Sequence, residues 1–296
     1  VFAACPDLAV KCRAVLNRWR STTEDRRGDE LRNAAYRIGI RSAIPSHRGL
    51  GSGTQLALAL ARAVELLESN SDPAHDNSPA RNNNTAAVSS EPSCGMSVLA
   101  RRSGRGLRSA VGTWGFEQGG LIVDGGKRPQ DEVGTLIARI AFPADWRFVL
   151  IAPKSGAGIS GEAEVAAFRD LPGMSGDTTR QLTAIALMRL LPAIRDADFD
   201  ECATAMTEYG RISGEYFATA QGGVYASPEM TGIATEFKKF GLHGFAQTSW
   251  GPTCAVLCRS LDEATTVANR IKEMTGTGFD VQVVSPMNRG AETRRL

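Results

Sequence analysis

Between Pro45 and Thr54 the chain reads PSHRGLGSGT, with glycines at alternate positions, hydroxyls at Ser46, Ser52 and Thr54, and an imidazole at His47. Residues of these kinds hold oxyanions. Glycine lets backbone amides approach a phosphate closely and takes positive φ where a turn needs it. The first amides of a helix lack intrahelical acceptors, and the helix dipole adds a favourable potential for negative charge. Ser46, His47, Gly49, Leu50, Gly51, Ser52, Gly53 and Thr54 are therefore the candidate phosphate-binding residues, and Ser52 could also reach a metal ion. The string is neither a Walker loop nor GxGxxG. For three glycines alone, a plain turn is the bland alternative.

The loop needs a strand before it and a helix after it. Tyr36, Ile38 and Ile40 alternate with Arg37, Gly39 and Arg41, the period of a half-buried strand. Beyond the loop, Leu56, Leu60, Ala63, Val64 and Leu67 form a helical stripe, with Arg62, Glu65 and Glu68 mostly off it. A further helix is predicted over Leu8 to Trp19. From 69 to 95 large apolar residues almost vanish, so a mobile surface loop is expected there. Strands are predicted over Leu136 to Phe142 and Arg147 to Ala152, and helices over Glu162 to Leu171, Thr178 to Leu191 and Phe199 to Ala220. The remainder reads as helix Pro228 to Phe240, strand Cys254 to Arg259, helix Asp262 to Thr275 and strand Phe279 to Ser285.

Three other segments combine glycine with chemistry-bearing side chains. In GRGLRSAVGTWGFEQGGLIVDGG, from Gly104 to Gly126, Arg105, Arg108, Glu117 and Asp124 emerge from a backbone able to turn tightly. Arg101 and Arg102 extend its basic cluster, which suits an anion better than a merely solvated loop. The others are AQGGVY, from Ala220 to Tyr225, and QTSWGPT, from Gln247 to Thr253.

PSHRGLGSGT resembles the phosphate loop of the GHMP kinase superfamily, Pro-x-x-x-Gly-Leu-Gly-Ser-Ser/Gly, and QTSWGPT resembles its C-terminal glycine motif. GLGSGTQLALA and the Gly104 to Gly126 string are similar to one branch, the β-ribofuranosylaminobenzene 5'-phosphate synthases of methanopterin biosynthesis. That resemblance implies an α+β, two-domain GHMP kinase-like fold. Residues 1–152 would form the N-terminal part, ribosomal protein S5 domain 2-like, and 153–296 a ferredoxin-like C-terminal part. It also implies an N-terminal segment ahead of the first helix here. A homodimer follows by analogy.

The activity implied is transfer of phosphoribosyl from phosphoribosyl diphosphate to 4-aminobenzoate or 4-hydroxybenzoate, with release of carbon dioxide and diphosphate. Kinases of the superfamily often place an aspartate about seven residues before a GG pair, to activate the substrate hydroxyl. Counting back from Gly119 reaches Gly112, which has no side chain. A ring carbon needs no such base. On this reading Glu117, Arg105, Arg108 and Asp124 are the catalytic candidates, with Glu117 first for steadying the cationic ribosyl centre. Magnesium would be held mainly by phosphates, with Ser52 and Glu117 assisting. Gln221, Ser249, Trp250 and Gly251 would contact substrate. Two alternatives stand beside it: an ATP-dependent small-molecule kinase, and a non-catalytic nucleotide- or diphosphate-binding module. Asp124 in VDGG could equally be a turn residue, and Trp250 could be interdomain packing.

Composition excludes other classes. The 34 basic and 32 acidic residues among 296 leave a net charge of +2, so no global attraction to nucleic acid is expected. No apolar run approaches the ~20 residues that span a bilayer. A cytoplasmic enzyme is expected, without nucleic-acid or membrane partners. Six cysteines without a CxxC pair read as buried free thiols, and three scattered histidines offer no metal site.

Overall fold

The computed structural model describes residues 6–22, 35–69, 95–106, 109–154, 166–167, 169–249 and 251–294. Helix α1 spans Pro6–Ser21, α2 Ser52–Ser69, α3 Met96–Ser103 and α4 Val111–Gln118. Strands β1 (Leu121–Asp124) and β2 (Leu136–Ile140) then form an antiparallel hairpin. After β3 (Arg147–Pro153) come α5 (Gly176–Ile185), a π turn (Ala186–Leu190), α6 (Leu191–Arg195), α7 (Phe199–Gln221) and α8 (Pro228–Lys239). The chain continues through β4 (Phe245–Gln247), β5 (Cys254–Cys258), α9 (Leu261–Thr275) and β6 (Phe279–Val284). No helix of the described residues is long and apolar enough to cross a membrane.

The larger sheet has the order β4-β5-β3-β6, each neighbour antiparallel. With helices between β3 and β4 and α9 between β5 and β6, this is the ferredoxin-like arrangement. Its first strand is β3. The boundary expected after 152 therefore cuts through a strand whose partners, β5 and β6, lie in the C-terminal sheet. Side-chain alternation gives β3 two lives: Val149 and Ile151 meet Met230, Ile233 and Phe237 of α8 and Ile271 of α9. On the other face Phe148 packs near Trp146, Ile194, Cys202 and Leu257. Local signals start the helices cleanly, since Ser175, Asp198, Ser227 and Ser260 each accept a first-turn amide.

The N-terminal core lies among the first four helices, around Cys12, Trp19, Leu58, Val64, Leu99 and Phe116. Here several sequence expectations need correction. Residues 36–40 keep their alternation, with Tyr36, Ile38 and Ile40 against this core, but no strand pairs with them among the described residues. On α2 the buried face is Ala57, Leu58, Leu60, Ala61 and Val64, while Leu67 of the predicted stripe is 59% exposed. Glu65, read as off the stripe, is buried and paired with Arg62 at 3.1 Å. Three helices surround α2, so its apolar arc is wider and rotated. The GTWGFEQ stretch, read as turn-rich, forms α4, because Thr113 and Phe116 are buried and its glycines need no turn until Gly119. Residues 70–94, half of the helix predicted over 162–171, and Cys5 lie outside the described residues.

A strap after β6 returns to the first half. Gly120 N–H donates to the Met287 carbonyl (2.7 Å), and Ala291 N–H to that of Phe116 (2.7 Å). Asn288 pairs both ways with the Phe142 backbone, at 2.9 and 2.8 Å, and Arg139 donates to the carbonyls of Gln118, Gly119 and Asn288.

Candidate active site

The glycine loop enters α2 as the sequence predicts, with Gly49 and Gly51 at φ +72° and +67°. His47 takes φ +58°, a conformation costly for a residue with a Cβ and characteristic of functional loops. The Gly51 carbonyl accepts the Thr54 (2.9 Å) and Gln55 (3.1 Å) amides, as the first acceptor of the helix. A Cβ on Gly51 would meet nothing within 4 Å. A Cβ on Gly49 would lie 2.6 Å from the Thr248 carbonyl oxygen and 2.7 Å from that of Gly251. The loop of the first half therefore sits directly on the QTSWGPT loop of the second. Arg48 adds a second tie, donating from Nη2 to the Lys154 carbonyl at 3.1 Å.

Two cations flank this loop. The Arg105 guanidinium lies against Gly53, at the first turn of α2, where a Cβ would be 3.4 Å from its nearest nitrogen. Lys11 of α1 donates to Ser46 Oγ at 2.9 Å. Sequence reasoning named Arg105 and did not single out Lys11, Arg48 or Thr248, which also lie at the loop. Lys11 carries no spacing signal toward the loop; its only local pattern is an Asp7 four residues earlier.

Gly112 stands against the same helix start. A Cβ there would be 3.2 Å from Thr54 Cγ2, and Gln55 Nε2 donates to the Gly112 carbonyl at 2.9 Å. Glu117 lies one and a half turns on, exposed, with its side chain in no hydrogen bond or ion pair among the described residues. Ser52 and Glu117, named together for a metal, share no contact, and no group of three acidic, histidine or cysteine residues gathers among the described residues. Asp124 is a turn and helix-start residue: Oδ2 accepts from Ala110 N–H (2.7 Å) and Ser109 Oγ (3.3 Å), and Oδ1 from Gly126 N–H (2.9 Å). Arg108 and Trp250 lie outside the described residues.

Behind the second loop, two glutamines interlock. Gln221 Nε2 donates to the Gly223 and Val224 carbonyls, at 2.9 and 3.0 Å, and its Oε1 accepts from Gln247 Nε2 at 3.0 Å. Gln247 Oε1 accepts from Ala226 N–H at 2.7 Å, and its Nε2 also reaches the Ser249 carbonyl at 3.3 Å. Gln221 thus supports the loop. Ser249 (φ +48°) and Gly251 (φ +66°) form the tight turn, closed by Gly251 N–H to the Thr248 carbonyl at 2.7 Å.

A helix start with cations, flanked by a side-chain-free position, can hold and stabilise a multiply charged oxyanion. Similarities to known proteins agree with that chemistry. The family model described as GHMP kinases N terminal domain matches residues 12–89, and that described as GHMP kinases C terminal matches 190–275. The beta-ribofuranosylphenol 5'-phosphate synthase of Methanothermobacter thermautotrophicus is 29% identical over 268 residues, covering 86% of this chain and 73% of that protein. The protein of the same name from Archaeoglobus fulgidus is 31% identical over 185 residues, 57% of this chain and half of its own length. Among solved structures, mevalonate pyrophosphate decarboxylase from Streptococcus pyogenes superposes with a TM-score of 0.56 at 12% identity, covering 98% of this chain and 78% of its own. Homoserine kinase from Cytophaga hutchinsonii gives 0.51 at 14% identity, covering 84% and 68%.

Proposed function

Because the chain belongs to the GHMP kinase superfamily and is similar over most of its length to beta-ribofuranosylphenol 5'-phosphate synthases, we propose that it is a decarboxylating phosphoribosyltransferase. The donor is phosphoribosyl diphosphate. The relatives' name specifies a ribofuranosylphenol product, which 4-hydroxybenzoate yields on losing its carboxyl group, so this acceptor is favoured over 4-aminobenzoate.

The observation that carries the reading is Gly112 against Thr54. The α4 residue that stands against Thr54 has no side chain, where a hydroxyl-activating acid would serve a kinase. What the site offers instead is stabilisation of a leaving group. The C1–O bond of the donor breaks and its electron pair leaves with diphosphate, held by the amides from Gly49 to Gly53 and by Arg105. Preorganised donors of this kind are worth about 3 kcal/mol each at a transition state. The ring carbon bearing the carboxylate attacks C1 and forms the new C–C bond. The bond to the carboxylate carbon then breaks, its electrons restore the aromatic ring, and carbon dioxide departs. No proton need be removed.

Magnesium enters bound to the donor's diphosphate, as part of the substrate. Glu117 lies roughly 7.5 Å along the helix axis from Gly112, within the span of an extended donor, and could steady the cationic ribosyl centre. On that reading Glu117→Gln lowers kcat and leaves the donor KM unchanged; a matching rise in KM would make it a binding residue.

Carboxyl-labelled 4-hydroxybenzoate or 4-aminobenzoate, incubated with the protein, magnesium and phosphoribosyl diphosphate, should release labelled carbon dioxide and diphosphate in equal amounts. No gas from either benzoate with folded protein would sink the reading. ADP formation from ATP and an alcohol would establish the kinase in its place.

A further inference from the structure

One cation at the loop is not used in the reaction as described. Lys11 Nζ donates to Asp7 Oδ2 at 2.7 Å and to Ser46 Oγ at 2.9 Å, and Ser46 Oγ donates to Asp7 Oδ2 at 3.2 Å. An acid four residues before a lysine is an ordinary helical pair, worth a few tenths of a kcal/mol. Helix pairing does not require the bond to Ser46, 35 residues away and three before Gly49. An ammonium has three donors, of which two are taken here. The Lys11 side chain is 25% exposed, so a ligand at the loop can approach it.

We propose that Lys11 binds a phosphate oxygen of the diphosphate-bearing substrate. Ser46 fixes the ammonium at the loop, and the Asp7 carboxylate is an internal stand-in for the ligand. The inference rests on reading the loop as a diphosphate site. The hydrogen bond from Lys11 holds the Asp7 carboxyl below its ordinary range, so at neutral pH it is an anion that competes with substrate.

The proposal separates the two members of the pair. A merely structural ion pair would respond alike to loss of either partner. A ligand-binding lysine with a competing carboxylate responds with opposite signs.

Inorganic diphosphate with magnesium, titrated calorimetrically into each folded variant, gives the test. Lys11→Met is expected to weaken binding about tenfold or more, the scale of a charge-assisted hydrogen bond. Lys11→Gln should do the same and guards against a misfolded methionine variant. Asp7→Asn should bind as tightly as the parent or tighter, and Lys11→Arg should fall close to it. Unchanged affinity in both Lys11→Met and Lys11→Gln would overturn the proposal. So would Asp7→Asn weakening as much as Lys11→Met. If the parent protein binds no diphosphate, the reading of the whole loop fails, and the lysine's role with it.

Discussion

Gly49 and Gly51 share a left-handed backbone yet do different work. At Gly49 a methyl group would strike two backbone carbonyls, so Gly49→Ala should cost about 2–4 kcal/mol in urea unfolding, from overpacking added to left-handed strain. At Gly51 the same group meets open space, so only the strain remains, about 1 kcal/mol or roughly 2 °C in thermal midpoint. Gly51→Ala should nevertheless lose diphosphate affinity, because that space is where the ligand's oxygens belong; unchanged binding would move the ligand elsewhere. Glu68 offers a different residue-scale test. Burial, opposed by hydrogen bonds from Trp19 and Tyr36, raises its carboxyl above 4.5. A raised folded value means the folded state binds more protons, so stability falls as pH climbs from about 4.5 through that value. Glu68→Gln should flatten this slope in thermal unfolding against pH. Residue types at the loop were legible in the sequence because glycine and hydroxyl patterns are local. The half-buried position of Glu68 was not, since a charged residue withdraws from water only when distant partners, here Trp19 and Tyr36, meet its oxygens.

Among elements, those with their own period or caps were legible and those made by tertiary contact were not. Helices α7, α8 and α9 carry both stripe and N-cap, and each was read within a few residues. Helix α4 is short and contains Gly112 and Gly115, so propensity argues against it; burial of Phe116 and Thr113 and closure by the strap decide otherwise. Strand β4 has three residues and exists because β5 pairs with it. The glutamine pair also belongs to this scale, since Gln247 joins the turn after α7 to the loop after β4. Gln247→Ala strands the Ala226 amide and frees both segments. It should cost about 1–3 kcal/mol and raise the acceptor KM, with the donor KM less affected; unaltered kinetics would make the pair structural only.

At the scale of the molecule, the two halves meet where the glycine loop touches Thr248 and Gly251, so the loop keeps its shape only while both are folded. Buried thiols provide reporters of that integrity. Burial pushes Cys202 and Cys258 up to about 12, and Cys254 upward as well. Thiolate is the reactive form, so iodoacetamide at pH 8 should label these three only as the C-terminal sheet unfolds. Labelling of the native protein would show that this sheet opens locally. The strap gives the molecule a further property, in time as well as space. Phe142 and Asn288 are 146 residues apart, and the Gly120 amide donates to a carbonyl, Met287, made long after it. A chain emerging from the ribosome therefore carries its EQGG segment unfinished until the strap after β6 has appeared. Closures over so long a separation are slow to find.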